Sequence, residues 1–190
     1  MLVWGKFYPF LHTAVKFKSH NGETDASAEG ELCTNDLSAV RVKRSCMLHI
    51  NGRPDGVFGL FDPIGEKKWS EDWNPIIVYP TSGIRQGSVF ATRDDGTETI
   101  WIITKLDKSS RSIVYTSVTP HLKVSTIDIR CEPDGASRTK ARVTYTVTTL
   151  SERGNQHITS FSKEYYREWM MNWERAINHY LQYGRPLRHH

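Results

Sequence analysis

The stretch RTKARVTYTVTTL, residues 138–150, decides the fold together with YREWMMNWERAINHY, residues 166–180. In the first stretch, apolar side chains at every second position alternate with polar ones, which is typical of a strand with one buried and one wet face. In the second, aromatic and aliphatic residues recur at i, i+3, i+4 and i+7, which predicts an amphipathic helix. A helix this aromatic needs a broad apolar surface, so we expect it to lie on the inner face of a sheet.

Further strands precede this pair, separated by recognisable turns. Asp94-Asp95-Gly96 and Pro133-Asp134-Gly135 contain residues that tolerate positive φ and close hairpins. Pro54 suits the first position of a helix, and Asp62-Pro63 separates that helix from a second short helical segment ending at Trp69. Short connections require antiparallel neighbours. The predicted strands are 44–52, 76–79, 88–93, 99–106, 112–119, 123–132 and 138–150, and the final helix begins between Ser151 and Ser162 and ends near Tyr183.

The strand 99–106 is apolar on both faces, so its orientation does not follow from alternation alone. If Lys105 faces water, Ile102 and Leu106 face inward and Trp101 lies on the outer surface. We therefore expect Ile102 to contribute to the interior.

The first forty residues differ from the rest. Residues 1–21 contain aromatic and basic side chains but no acid, and residues 22–38 read as a polar linker. The first part could be loosely ordered, lie on the domain or make a weak membrane-surface contact. The predicted organisation is an N-terminal extension at 1–40, one domain at 41–184 and a tail at 185–190.

Composition excludes several classes of function. The net charge of +4 is small and the basic residues are dispersed, which argues against nucleic-acid binding. Cys33, Cys46 and Cys131 are too few and too widely spaced for a disulfide framework or a zinc module, so we expect a reducing, cytoplasmic location. We also expect no metal or cofactor, since Cys46 and His49 lie on opposite faces of their strand and no nucleotide-binding motif is present. The sequence contains no apolar stretch of about 18 residues, so no transmembrane helix is predicted.

The order of elements, read with several local motifs, resembles the START-like superfamily, also called SRPBCC or polyketide-cyclase-like, and in particular its bacterial members. The motifs are Trp73-Asn74-Pro75, WIITKLD at 101–107, TLSERGN at 149–155 and WERAIN at 173–178. The resemblance covers about residues 44–183. It implies an α+β helix-grip fold, in which a curved seven-stranded antiparallel sheet wraps around a long C-terminal helix, with two short helices between strands 1 and 2. It also implies a cavity that can hold a lipid, a polyketide or another apolar ligand.

No phosphate-binding, dinucleotide-binding or esterase motif is present. Tyr115, Tyr145, Tyr165 or Tyr166, and His157 are the polar groups that could act in the cavity, although a tyrosine hydroxyl bound to a backbone carbonyl is the ordinary alternative. Asp128 and Arg130 are expected to face outward as a solvated pair. The residues predicted to contact ligand are Trp73, Ile102, Tyr115, Ile129, Val143, Tyr145, Tyr166, Trp169, Met170, Trp173 and Ile177.

The favoured function is binding or carriage of an apolar small molecule, motivated by the aromatic inner faces and the lack of a catalytic constellation. One alternative is a cyclase or dehydratase acting on a polyketide-like substrate, which requires polar side chains converging in the cavity. Another is a module that contacts a protein or a membrane through the outer face of the sheet or the N-terminal segment.

Overall fold

The computed structural model describes residues 38–94 and 96–188, and within them one seven-stranded antiparallel sheet packs against a long C-terminal helix. The strands are β1 (Arg41–Ile50), β2 (Ile76–Tyr79), β3 (Val89–Asp94), β4 (Thr97–Asp107), β5 (Ser112–Thr119), β6 (Lys123–Pro133) and β7 (Thr139–Thr149). The helices are α1 (Pro54–Phe58), α2 (Glu152–Ile158) and α3 (Lys163–Tyr183), with short 3-10 turns at Gly59–Phe61 and Glu66–Lys68. The strand order β1-β7-β6-β5-β4-β3-β2 places β1 beside β7. The predicted α+β helix-grip architecture is therefore confirmed.

The two strands with the clearest alternation have the predicted faces. Along β7, every second residue from Thr139 to Thr149 is buried, and the residues between them are half-buried or exposed. On β6, Asp128 and Arg130 form an ion pair at 2.9 Å on the outer face, as expected. The alternation of apolar and polar residues predicted these faces correctly, because the two strands pair without irregularity.

The prediction for Ile102 is wrong, because β4 is not regular. Ile102 is exposed on the outer face, whereas Ile103 is fully buried and Trp101 packs partly against the core. The pairing with β5 shifts between Ile103 and Lys105, so Thr104 is an extra residue in the ladder. A bulge of this kind reverses the alternation on its two sides, and Lys105 therefore gave the wrong phase for the residues before it.

The C-terminal helical region is two helices rather than one. Ser151 caps α2 by accepting the Gly154 N–H at 3.0 Å, and Ser162 caps α3 by accepting the Tyr165 N–H at 3.0 Å. At the far end, Gly184 adopts a left-handed conformation with φ of 69° and donates its N–H to the Tyr180 carbonyl. The break between α2 and α3 places Phe161 in a connecting turn, buried against the sheet.

Removing the Ser162 cap should destabilise the protein modestly. We expect Ser162→Ala to lower the free energy of unfolding by about 1 kcal/mol, since the Tyr165 N–H loses its acceptor. Chemical denaturation measures the change, and Ser162→Asp, which retains an acceptor oxygen, is the control. Equal losses in both variants would contradict a capping role.

The buried face of α3 lies over the sheet as its periodicity predicted. Its buried residues are Tyr166, Trp169, Met170, Trp173, Ala176 and Ile177. No helix among the described residues has the length and apolarity needed to cross a bilayer.

Several predictions concern residues that the structure does not describe. Residues 1–37 of the predicted extension lie outside the described residues, and with them Cys33 and the possible membrane contact of residues 1–21. Residues 189 and 190 of the predicted tail also lie outside them.

Candidate ligand cavity

A cavity of about 40 Å³ lies between α3 and the ends of four strands. It is the larger of two small spaces between the helix and the sheet, and we call it the larger cavity. One side is aromatic and the other carries hydroxyl groups and one amine. Its lining residues are Thr99, Trp101, Ser117, Thr119, Lys123, Ser125, Tyr145, Val147, Phe161 and Trp169. This mixture of rings with a few polar groups is typical of small-molecule sites, but the volume is well below the usual range of about 300–1,000 Å³.

A second space of about 20 Å³, the inner cavity, is lined almost entirely by buried residues of the core. Trp101 and Tyr145 line both spaces, so the two adjoin through these rings. The residues lining the inner cavity are Phe61, Glu66, Trp73, Phe90, Trp101, Tyr115, Ile127, Ile129, Tyr145 and Trp173.

The aromatic rings of the walls pack against one another. The Tyr145 and Trp169 rings lie 5.1 Å apart, and Trp169 lies 5.6 Å from Trp173, which in turn meets Trp69 at 5.3 Å. On the strand side, Phe90 stacks on Trp101 at 5.7 Å. These separations fall in the range favoured for aromatic pairs, so the rings stabilise one another.

Two of the predicted tyrosines donate their hydroxyl groups to backbone carbonyls. Tyr115 donates its hydroxyl to the Phe61 carbonyl at 2.6 Å, and Tyr166 donates to the Val143 carbonyl at 2.9 Å. Both hydroxyls are therefore bound to backbone carbonyls, as the ordinary alternative expects. The Tyr115 bond holds the turn at Gly59–Phe61 against the sheet, and the Tyr166 bond holds α3 against β7. Tyr165 and His157 line neither of the two cavities.

Tyr145 differs from these two. Its hydroxyl makes no hydrogen bond within the described part of the chain, and its ring separates the larger cavity from the inner one. Burial raises the pKa of Tyr145 well above its usual value, and the charge of nearby Glu66 acts in the same direction. Tyr145 is therefore a neutral hydroxyl that can donate to a ligand.

Lys123 is the basic group of the larger cavity, and the sequence interpretation did not identify it. It begins β6 and shares the inward face with Ser125, Ile127 and Ile129, because the alternation of this strand extends back to its first residue. Burial lowers the pKa of the Lys123 ammonium from 10.5 to about 8. The residue as a whole keeps partial solvent exposure, so it lies where the cavity approaches the surface.

Hydroxyl groups form a polar belt beside this lysine. Thr119 pairs with Lys123 across the β5–β6 ladder, and its hydroxyl bonds to the Thr99 hydroxyl at 2.9 Å. Ser117 and Ser125 face each other in the same ladder, and both are buried. The belt supplies donors and acceptors for a polar atom of a ligand whose ring lies against the aromatic wall.

Glu66 is a second ionisable group that the sequence interpretation missed. It is only 8% exposed, and its charge raises the pKa of both Tyr115 and Tyr145, which places the carboxylate close to both rings. It lies in a short 3-10 turn with no periodic pattern, so no sequence signal pointed inward.

Of the residues predicted to contact ligand, the structure brings six to the two cavities. Tyr145 and Trp169 line the larger one, and Trp73, Tyr115, Ile129, Tyr145 and Trp173 line the inner one. Val143, Tyr166, Met170 and Ile177 are buried in the core but line neither space. No group of three or more potential metal ligands occurs among the described residues.

Comparison with known proteins shows the fold. No family model and no curated protein matches the chain. Among solved structures, the Mll3558 protein from Rhizobium loti is 16% identical with a TM-score of 0.55, covering 74% of this chain and 99% of that chain. Ginseng major latex-like protein 151 from Panax ginseng is 16% identical with a TM-score of 0.52, covering 74% and 97% respectively. Norcoclaurine synthase from Thalictrum flavum, in complex with dopamine and hydroxybenzaldehyde, is 12% identical with a TM-score of 0.57, covering 85% and 97%.

Proposed function

The chain has the START-like helix-grip fold, and on that premise we propose that it binds a small, largely apolar molecule in the larger cavity. The observation that carries the proposal is the lining of this space, in which Trp101, Phe161 and Trp169 oppose a belt of buried hydroxyls. Such a site buries a ring against rings and orients one polar substituent.

The size of the cavity limits the ligand. A volume of about 40 Å³ has room for about three water positions, so the closed form suits a single small ring at most. A larger ligand requires a wall ring to turn aside. Phe161 is the candidate, because it lies in the turn between α2 and α3 rather than within either helix.

One solved structure with a similar fold contains ligands of this scale. The norcoclaurine synthase structure contains dopamine and hydroxybenzaldehyde, which are both single-ring compounds. At 12% identity the likeness reaches only the fold, so the ligand class rests on the lining of the cavity in this chain.

A second candidate function is acid–base catalysis on a polar small molecule, as in the cyclase or dehydratase alternative. The observation that favours it is the presence of two titratable groups, Lys123 and Tyr145, on the wall of one cavity, with Glu66 on the far side of the tyrosine ring. Groups whose pKa values are displaced by burial are candidates for proton transfer.

The proposed binding can be tested by filling the cavity with one methyl group. Val147 lines the larger cavity, so Val147→Ile should weaken the binding of benzyl alcohol or phenol by about tenfold or more. Tryptophan fluorescence reports binding, since Trp101 and Trp169 are in the wall.

The matched control is Val118→Ile, which adds the same methyl group on the half-buried outer face of β5. It should leave affinity unchanged. Equal affinities in the wild type, Val147→Ile and Val118→Ile proteins would place the binding elsewhere and overturn the proposal.

A further inference from the structure

We propose that the larger cavity selects an aromatic ring that carries a hydroxyl group, and that the hydroxyls of Ser117 and Ser125 recognise this substituent. The inference rests on the proposed function, because it names the ligand class of the same cavity. Three features of the two serines support it: their position in the sheet, their unpaired hydroxyls and the rings that face them.

The two serines lie side by side at the centre of one row of residues across the sheet. Ser117 on β5 pairs directly with Ser125 on β6, while Trp101 on β4 pairs with Ser117 and Val147 on β7 pairs with Ser125. All four residues line the larger cavity. Directly paired residues of neighbouring strands have their Cβ atoms about 5 Å apart, so one polar atom of a ligand can contact both hydroxyls.

The inward faces of β5 and β6 change character at this row. The next inward residues toward the inner cavity are Tyr115 and Ile127, which are large and belong to the core. The two serines are small, so they leave space at this point, and the rings of Phe161 and Trp169 line the same space. A ligand ring can therefore rest on aromatic side chains while its substituent meets the serines.

The hydroxyls of Ser117 and Ser125 make no hydrogen bond within the described part of the chain, although each residue is only 4% exposed. In the same cavity, by contrast, the hydroxyls of Thr99 and Thr119 bond to each other at 2.9 Å. A buried hydroxyl without a partner lowers stability. Two such groups side by side on a cavity wall are suited to a polar partner that enters the cavity.

A ligand hydroxyl fits these partners better than a methyl or a carbonyl group. A methyl group forms no hydrogen bond, so a hydrocarbon would exclude water and leave both serines unpaired. Tyr145 adds a third hydroxyl to the same lining, neutral because burial raises its pKa and without a partner among the described residues. A carbonyl oxygen can accept from two of the three, whereas a ligand hydroxyl can accept from two and donate to the third.

Isothermal titration calorimetry of the full-length protein tests the inference with phenol and toluene, in which a hydroxyl group replaces a methyl group on the same ring. A purely apolar site would prefer toluene, because water expels the methyl group more strongly. We expect phenol to bind at least about tenfold more tightly in the wild type. Benzaldehyde, whose carbonyl only accepts, should bind less tightly than benzyl alcohol.

A double variant that combines Ser117→Ala and Ser125→Ala should abolish the preference, with phenol weakened at least about tenfold and toluene unaffected. It should stay folded with an unchanged or higher urea midpoint, because it loses no hydrogen bond within the described residues. Ser112→Ala is the matched control and should keep the wild-type preference. Ser112 lies on the same strand, is 3% exposed, has an unpaired hydroxyl among the described residues and lines neither cavity.

The outcomes separate this inference from the proposed function. If toluene binds as tightly as phenol, or if the preference survives the loss of both serines, hydroxyl recognition is overturned while small-molecule binding stands. Benzaldehyde binding as tightly as benzyl alcohol would overturn it in the same way. If none of the four compounds binds, both proposals fail. A preference for phenol that the double variant loses and Ser112→Ala keeps supports both.

Discussion

Replacing Lys123 with methionine should raise the free energy of unfolding at pH 7 by about 2–3 kcal/mol. Methionine keeps an unbranched stem of similar length but carries no charge, so the desolvation of the ammonium disappears. The pKa of Lys123 falls from 10.5 in the unfolded chain to about 8 in the folded one, and that interval corresponds to about 3 kcal/mol. The residue's partial solvent exposure makes this figure an upper value.

The gain should depend on pH in a specific way. Below about pH 8 the lysine is protonated in both states, and the folded state bears the free-energy cost that corresponds to its lowered pKa. Between about pH 8 and 10.5 the unfolded chain binds more protons than the folded one, so the stability of the wild type rises with pH. The advantage of Lys123→Met should therefore shrink across this window and vanish above it.

Urea denaturation of the wild type and Lys123→Met from pH 6 to pH 11 measures the difference between their free energies of unfolding. The other titrating groups are common to both proteins, so their contributions cancel in this difference. Lys105→Met is the matched control, because Lys105 is an exposed lysine on the outer face of the sheet. Its stability should differ from the wild type by less than about 0.5 kcal/mol. A constant gain for Lys123→Met at every pH would show that packing, rather than charge, caused it.

Burial of the Lys123 ammonium is expected to lower the stability of the folded protein. Stability lost at one position is a common feature of functional sites, where a group is held in an environment that suits its chemistry rather than the fold. Lys123→Met should thus be more stable than the wild type.

The sequence predicted the sheet and the helix well, because both depend on periodicities that repeat over many residues. The faces of β6 and β7 followed from alternation, and the buried face of α3 followed from its 3.6-residue period. The phase of β4 failed at one extra residue, Thr104, which nothing in the local composition marks as a bulge.

The candidate site was only partly predictable. Lys123 was within reach of the sequence, since the alternation that placed Ile127 inward also places residues 125 and 123 inward. Glu66 was not, because its turn is too short to have a period. The volume of the cavity was also out of reach, since it depends on how rings such as Phe161 and Trp169 pack across long separations in the chain.

Replacing Trp173 with alanine should lower the free energy of unfolding by about 3–5 kcal/mol, the largest loss we expect from a single change on α3. Trp173 is 4% exposed and meets Trp69 and Trp169 edge to face at 5.3 and 5.6 Å. Its removal leaves a void that these rings cannot fill without moving. Met171→Ala on the opposite, exposed face of α3 is the control, with an expected change below about 0.5 kcal/mol.

The void left by Trp173→Ala would adjoin the inner cavity, whose wall Trp173 forms. Indole has the shape of the lost side chain, so it should bind there and restore part of the stability, with a gain that rises with the logarithm of one plus its concentration divided by its dissociation constant. The wild type, in which the tryptophan occupies this space, should show no such stabilisation at that position. A loss below about 1 kcal/mol without indole rescue would mean that α3 settles onto the sheet when the ring is removed, and that the helix–sheet interface is adaptable rather than rigidly packed.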